Sequence, residues 1–375
     1  PHTALSRLQT LASPEEARAL WQLAGLRRRA VAKFGQDSAV LYFDREALEM
    51  ASPARVAAYH AQRFVSAGMK TVLDLGGGIG ADSMAFARAG LGVTLYERDL
   101  ARWILAVANT KALGLANNIE VVCGDITKAK LPMADAAFLD PARRSGARKW
   151  AGSVEETDPP LSFVREVMAR GIGAIGAKLS PTIPREIADM YGGEIEFVSH
   201  AGECKEAFLA LGALRQADAI SAVVLREKGD GPAEERLTGN PGLRSPVGLP
   251  EGQYLYEPDP AVIRAHLVGP LAARLSTWQF DPQIAYLIGN ELTRTAFASA
   301  YEIQASLPYN RKAVQEALRR HNIGRVVIKK RGFPEEPEAV RRQLRLSGER
   351  EGVLILARHG KRHWAFIAAR VDLTG

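Results

Sequence analysis

Cysteine is scarce in this chain: Cys123 and Cys204 are the only two among 375 residues. Two thiols cannot build a disulfide framework, and no Cys-x-x-Cys or paired-histidine spacing offers a zinc site. Both therefore read as buried structural thiols, and no metal is expected. Long apolar runs are missing as well. No window approaches the roughly 18 consecutive apolar residues of a membrane span, and the opening stretch PHTALSRLQTLASPEEARALW lacks the apolar core of a secretory signal. No membrane association is expected, and the cytoplasm is the default compartment. Internal repeats and low-complexity tracts are absent too, which removes solenoids and disordered tails. What remains is 47% hydrophobic and 24% charged, the mixture of a globular chain. Its 375 residues exceed one usual core, so about two domains, or three, are expected. Nothing in the sequence sets an oligomeric state.

The net charge of +7 is unevenly spread. From Arg311 to Gly375 there are 16 lysines and arginines against 7 acids, whereas the preceding chain carries 33 against 35. That asymmetry fits a polyanion-binding appendage on a near-neutral body, or a solvated basic face without a partner.

Hydrophobic periodicity divides the chain further. Residues 1–66 read as helices: Ser13 caps, Pro14 stands at the first helical position, and a second start at Ser52-Pro53 opens ARVAAYHAQRFVSAG. Between 67 and 226, short apolar runs alternate with amphipathic ones. KTVLDL, GVTLYE, IEVVC, AAFLD and AIGAKL predict strands separated by helices, hence right-handed crossovers and a parallel sheet. EIEFVSH, EAFLALGAL and AISAVVL follow without intervening helices and predict an antiparallel edge. Residues 227–253, rich in Gly, Pro and charge, read as a linker. Beyond it, a helix near 259–274, further helices from Arg311 and Glu335, and strands YEIQASLP, RVVIKKRG, GVLILARHG and RHWAFIAARV predict a small α+β domain over 254–375.

KTVLDL runs into Asp74-Leu75-Gly76-Gly77-Gly78-Ile79-Gly80 and then a helix. Glycines permit a tight turn and close approach of a ligand to the main chain, and the helix start offers unpaired N–H groups. A nucleotide-like cofactor suits that geometry. Glu97, ending the next strand, is placed to accept from two ribose hydroxyls, and Asp125, in a Gly124-Asp125-Ile126 turn, falls where an adenine edge would lie. Gly76, Gly78 and Ala81 also satisfy the dinucleotide fingerprint G-x-G-x-x-A, so a nicotinamide or flavin reading stays open.

The ensemble of Asp74-x-Gly76-x-Gly78-x-Gly80, Glu97, Asp125-Ile126 and Asp140-Pro141 resembles the class I S-adenosylmethionine-dependent methyltransferases over residues 50–225. The resemblance implies an α/β fold with a Rossmann-like sheet and S-adenosylmethionine held by Asp74, Gly76, Gly78, Gly80, Glu97, Asp125 and Ile126. In relatives acting on base amines, Asp/Asn/Ser-Pro-Pro-aromatic ends the fourth strand. Its first side chain and a proline carbonyl accept from the exocyclic NH2, and the aromatic ring stacks on the base. Asp140 and Pro141 match that motif; Ala142 and Arg143 depart from it. An arginine plane can itself stack on a base, so Arg143 joins Asp140 and Pro141 as a catalytic candidate. Trp150 is expected to shape the acceptor pocket, and Arg144 either to hold a phosphate beside it or to be solvated. The 5-methyluridine RNA methyltransferases need a nucleophilic Cys after the following strand, where this chain has Lys178-Leu179-Ser180-Pro181-Thr182, which disfavours covalent pyrimidine methylation. The segment from Ser52-Pro53 to His60 is similar to one in trimethylguanosine synthase-like enzymes, so His60 either faces the cofactor pocket or packs against the sheet.

Residues 254–375 resemble the THUMP-like domain found behind bacterial methyltransferases. That implies RNA as partner, tRNA-like, with Lys329, Lys330 and Arg331, helped by Arg341, Arg342, Arg345, Lys361 and Arg362, on phosphates and Tyr309 and Trp364 on bases. Alternatively this domain docks on the catalytic one. The resulting expectation is a methyltransferase acting on a base nitrogen of structured RNA. A small-molecule or protein substrate, or a non-catalytic RNA-binding protein, are the alternatives.

Overall fold

Ser13 opens the first helix by a reciprocal cap: its hydroxyl accepts from the Glu16 N–H at 3.3 Å while the Glu16 carboxylate accepts from the Ser13 N–H at 2.9 Å. The computed structural model describes residues 10–143, 154–216, 220–226 and 233–372. In it the chain divides into two units, residues 1–195 with 206–219, and residues 196–205 with 220–375.

The first unit begins with helix α1 (Pro14–Phe34), a short α2 (Arg45–Met50) that the periodicity did not reveal, and α3 (Ala54–Ser66). Lys33 on α1 donates to the carbonyls of Leu48, Glu49 and Ala51, each at 2.8 Å, and so caps the carboxyl end of α2. There follow β1 (Thr71–Leu75), α4 (Ala81–Arg88), β2 (Gly92–Glu97), α5 (Leu100–Ala112), β3 (Ile119–Cys123) and β4 (Ala136–Leu139). After α6 (Phe163–Ala169) come β5 (Ala174–Leu179), α7 (Ile187–Tyr191), β6 (Glu194–His200) and β7 (Glu203–Gly212). Within the first unit the order is β7-β5-β4-β1-β2-β3, with β1 to β5 parallel and β7 antiparallel to β5, as the alternation of the sequence predicts. Helices α3 and α4 meet the sheet through a wholly buried cluster: Phe64 and Phe86 lie 5.1 Å apart edge to face, and Phe86 and Phe138 5.4 Å apart. Each such ring contributes about 1.5–3 kcal/mol of burial.

The second unit holds most of β6 with the β6–β7 turn, and β8 (Ile220–Leu225) and β9 (Glu234–Thr238), which pair antiparallel. Part of the segment expected as linker is thus a strand, because backbone pairing overrides its charged composition. Next come β10 (Tyr254–Pro258), α8 (Pro260–Arg264), α9 (Val268–Leu275), β11 (Leu287–Gly289), β12 (Ala298–Pro308), α10 (Arg311–Arg320), β13 (Ile323–Arg331), α11 (Pro337–Gln343), β14 (Arg350–His359) and β15 (Arg362–Val371). The single helix expected over 259–274 is two, broken where His266 takes a positive φ of 58°. Strands run β11-β10-β12-β15-β14-β13. The run VLIL in β14 alternates: Leu354 and Leu356 join the α10 and α11 core, while Val353 and Ile355 pack with Phe280 and Tyr286 on the other face. A continuous apolar strand therefore reports a sheet covered on both sides.

The cysteines differ from expectation: Cys123 is exposed and Cys204 half-buried. Cys123 is the last residue of the edge strand β3, where little packs over it. Among the described residues no helix is long and apolar enough to cross a membrane.

Candidate active site

Strand order fixes where a ligand can sit. The chain leaves β1 toward β2 and β3 on one side and places β4 on the other, so a crevice opens at the carboxyl ends of β1 and β4. The cleft there is lined by Gly76–Gly78 after β1, Glu97 at the end of β2, Asp125 and Ile126 after β3, and Asp140 after β4. Gly76 and Gly78 have φ of 93° and 56°, a region that side chains disfavour. A Cβ on Gly77 would stand 2.6 Å from Leu95 Cγ and 2.8 Å from Asp74 Oδ2, whereas one on Gly78 would meet nothing within 4 Å. The loop is therefore tight beneath and open above, a main-chain cradle for a ligand. The Gly76 and Gly77 N–H groups donate to the Tyr96 carbonyl at 3.0 and 3.1 Å, which pins the loop to β2.

Glu97 is oriented before any ligand arrives. Its Oε2 accepts from the Gly78 N–H at 3.0 Å and its Oε1 from the Asp99 N–H at 2.8 Å. Asp125 accepts from the Thr127 N–H and hydroxyl at 3.0 and 2.7 Å, which holds its carboxyl below the ordinary carboxylate range. Asn109, wholly buried on α5, donates to the Ile79 and Tyr42 carbonyls at 3.1 Å and accepts from the Tyr42 N–H at 2.7 Å. One side chain thus ties the glycine loop to the segment leading into α2, which contributes Ala47, Met50, Ala51 and Ser52 to the cleft.

Beneath the lining lies a buried polar network that no local motif announces. Lys178 on β5 donates to Asp140 Oδ2 at 2.6 Å. His60 on α3 is fully buried, with Nδ1 2.8 Å from Asp82 Oδ1 and Nε2 on Glu206; Ser52 donates to Asp82 Oδ2 at 2.8 Å. His60 therefore does not face the cleft; Asp82 does. Burial works against the charge of Asp82, yet the bond from His60 holds its carboxyl below the usual value. Burial raises Asp140, and Lys178 only partly offsets that. Asp74, fully buried, gives Oδ2 to the Ser83 hydroxyl at 2.6 Å and leaves Oδ1 without a partner.

Two of these groups make stability depend on pH. Burial, with Asp82 nearby, pushes Asp74 up to about 8 from 3.8. Burial alone would depress the His60 imidazolium, but the Glu206 charge and bonds to Asp82 and Glu206 carry it up to about 10 from 6.5. For Asp74 the folded state favours the neutral acid, so its contribution is present below 3.8 and is lost as pH rises through 8. For His60 the contribution is present below 6.5 and lost through 10. The urea midpoint is expected to fall steadily from pH 5 to pH 10, and Asp74→Asn to flatten the part below pH 8. A midpoint that rises over that range contradicts both assignments.

The sequence candidates distribute unevenly. Gly76, Gly78, Glu97, Asp125, Ile126 and Asp140 line one cleft. Asp74, Gly80 and Pro141 are not among its lining residues: Asp74 supports the loop from below, and Gly80 forms the start of α4 with φ 87°. Ala142–Arg143 pairs with Thr157–Asp158, and Asp158 and Pro159 join the lining. Arg144 and Trp150 lie outside the described residues, as does the Arg143 side chain. The second unit's basic strand is partly neutralised. Lys329 and Arg331 share Glu257 at 2.6 and 3.5 Å, and Lys330 pairs with Glu336 at 2.6 Å. Tyr309 packs edge to face on Phe333 at 4.7 Å, and the Trp364 indole donates to the Ser306 hydroxyl at 2.8 Å. Lys329, Lys330, Arg331, Tyr309 and Trp364, read as part of a phosphate and base surface, are therefore engaged within the unit. Among the described residues no cluster of His, Cys, Asp and Glu suits a metal ion.

A sheet of this order with a glycine cradle after β1, a fixed acid after β2 and Asp-Pro after β4 defines a Rossmann-like methyltransferase. Residues 49–142 match the O-methyltransferase domain family, and residues 298–370 the THUMP domain-like family. An uncharacterised S-adenosylmethionine-dependent methyltransferase of Mycobacterium tuberculosis, found in strains CDC 1551 and H37Rv, is 29% identical over 353 residues, 92% of this chain and 94% of its own. The crystal structure of a candidate methyltransferase from Porphyromonas gingivalis W83 superposes with a TM-score of 0.79 at 21% identity, covering 96% of this chain and 92% of that one, a likeness of fold. The chain is an S-adenosylmethionine-dependent methyltransferase carrying a THUMP-like domain at its carboxyl end.

Proposed function

We propose that the enzyme methylates an exocyclic amino nitrogen of a base in structured RNA, with the second unit supplying affinity for the nucleic acid. The observation that carries the acceptor reading is Asp140, which lines the cleft while Lys178 occupies its Oδ2. When bound, S-adenosylmethionine brings a methyl group already activated by a cationic sulfur, so the protein's task is to place the acceptor in line and exclude water. In this reading the glycine loop N–H groups and Glu97 hold the adenosyl end, with Asp125 and Ile126 beside the adenine. Asp140 accepts from the amine and orients its lone pair, with the Pro141 carbonyl as a second acceptor. Lys178 touches Asp140 directly and offsets part of the rise that burial gives its carboxyl.

RNA is favoured by the THUMP-like match and by the basic excess after Arg311. Because Glu257 and Glu336 engage Lys329, Arg331 and Lys330, the exposed Arg341, Arg342 and Arg345 are the better phosphate contacts. Affinity for bulk tRNA is expected to fall steeply with salt. Changing these three arginines to Gln should flatten the log–log slope by about 2 to 3, at about 0.7 to 0.9 per lost contact, without moving cofactor affinity. A slope unchanged by the triple variant removes that surface from the account.

The substrate itself is tested by labelled methyl transfer to bulk RNA and to a small-molecule extract, with mass spectrometry of nucleosides from cells with and without the protein. The expected result is label in RNA and one modified base missing. Label entering only the small-molecule fraction would assign the enzyme to a metabolite instead.

A further inference from the structure

The cleft contains one acid whose surroundings are more elaborate than support of the fold requires. Asp82 stands in the first turn of α4 and is only 6% exposed, yet it lines the cleft with Ser52, the glycine loop and Asp140. Its two oxygens are each held once, by Ser52 and by His60. A carboxylate offers about four lone-pair sites, so acceptor capacity remains on both oxygens. With a carboxylate at each ring nitrogen, His60 donates from both, and the resulting Glu206–His60–Asp82 chain holds Asp82 as an anion of fixed orientation.

The position of that anion along the cleft follows from packing. His60 lies 5.0 Å from the Phe138 ring on β4 and 5.2 Å from the Phe208 ring on β7. The Asp82 carboxylate bonded to it is therefore on the β4 side of the glycine loop, opposite the β2 and β3 side where Glu97 and Asp125 stand. With the adenosyl end at Glu97 and Asp125, as proposed above, an amino-acid chain that crosses the glycine loop toward β4 comes to the part of the cleft lined by Asp82 and Asp140. That chain carries an ammonium group, which donates three hydrogen bonds and accepts none.

We propose that Asp82 accepts from the amino group of the cofactor's methionyl end, and that Ser52 and His60 are positioning residues that aim its carboxylate. The inference rests on the placement of the adenosyl end at Glu97, and it assigns the opposite end of the same ligand. An ordered, desolvated carboxylate gains more from an ammonium partner than an exposed one does, because water no longer competes for either charge.

Isothermal titration of the full chain with S-adenosylhomocysteine, and with its analogue in which hydrogen replaces the amino group, tests this. Asp82→Asn should weaken S-adenosylhomocysteine about 30-fold or more while changing the desamino analogue less than about 3-fold. Ser52→Ala, a milder change that keeps the fold, should weaken the first ligand several-fold and spare the second. Equal losses for both ligands, or no loss for either, would overturn the assignment, since a purely structural role of Asp82 cannot distinguish them. Glu97→Ala serves as the reference: it should weaken both ligands alike, and if both bind it unchanged the adenosyl placement itself fails.

Discussion

Glu97→Ala is expected to raise the dissociation constant for S-adenosylhomocysteine about 100-fold, because two hydrogen bonds to a charged acceptor contribute about 1.5 kcal/mol each. The carboxylate is already aligned by the Gly78 and Asp99 N–H groups, so little ordering opposes binding. Its removal also frees the Gly78 N–H and loosens the cradle, which adds to the loss. Glu97→Gln keeps one acceptor oxygen and should lose about 10-fold, reflecting the weaker neutral bond. Titration measures both, and a Glu97→Ala protein that binds as the parent does would place the ribose elsewhere in the cleft.

Asp140→Asn should reduce methyl transfer about 1000-fold, within the range for loss of a positioning and proton-accepting group, with cofactor affinity held within about 3-fold. The amide keeps the shape and one acceptor but presents an NH2 where the substrate amine must donate. Asp140→Ala should lose transfer equally and stability in addition. It leaves the half-buried Lys178 ammonium without its carboxylate, and losing a hydrogen bond between charged groups costs about 1.5–3 kcal/mol. Lys178→Met with Asp140→Leu should recover much of that stability and none of the activity. Single-turnover rates and urea midpoints on the same preparations separate the two effects. Turnover by Asp140→Asn at the parental rate would remove Asp140 from the acceptor site.

The contrast between these residues and their partners shows how far a linear reading reaches. Gly76, Gly78, Glu97, Asp125 and Asp140 were recognisable because each sits at the carboxyl end of a strand, and a short apolar run followed by a turn locates that place by local pattern. Ser13 was likewise local: it caps a helix through an N–H three residues on. The residues that give these groups their properties were not recognisable. Glu206 is 146 residues from His60, Lys178 is 38 from Asp140 and Glu257 is 72 from Lys329. A histidine, a lysine or a glutamate in an amphipathic stretch carries no mark of the partner it will meet.

The basic strand illustrates the same limit from the other side. Val326 to Arg331 reads as a cationic face because charges are counted along the chain, yet Glu257 on β10 and Glu336 before α11 come to meet it. Cys123 was misplaced for a related reason: a thiol at the end of IEVVC is apolar in composition, but β3 is the edge of its sheet.

The sequence alone determined the alternation of strands and helices, the glycine bend and the acids at strand ends, since backbone preference and apolar period are properties of neighbouring residues. Only the tertiary structure decided how burial and partners shift the charge of those acids, which of them line the cleft and which cations are already paired. Charge state and orientation depend on distance through space and on exclusion of water, and neither exists until the elements have packed.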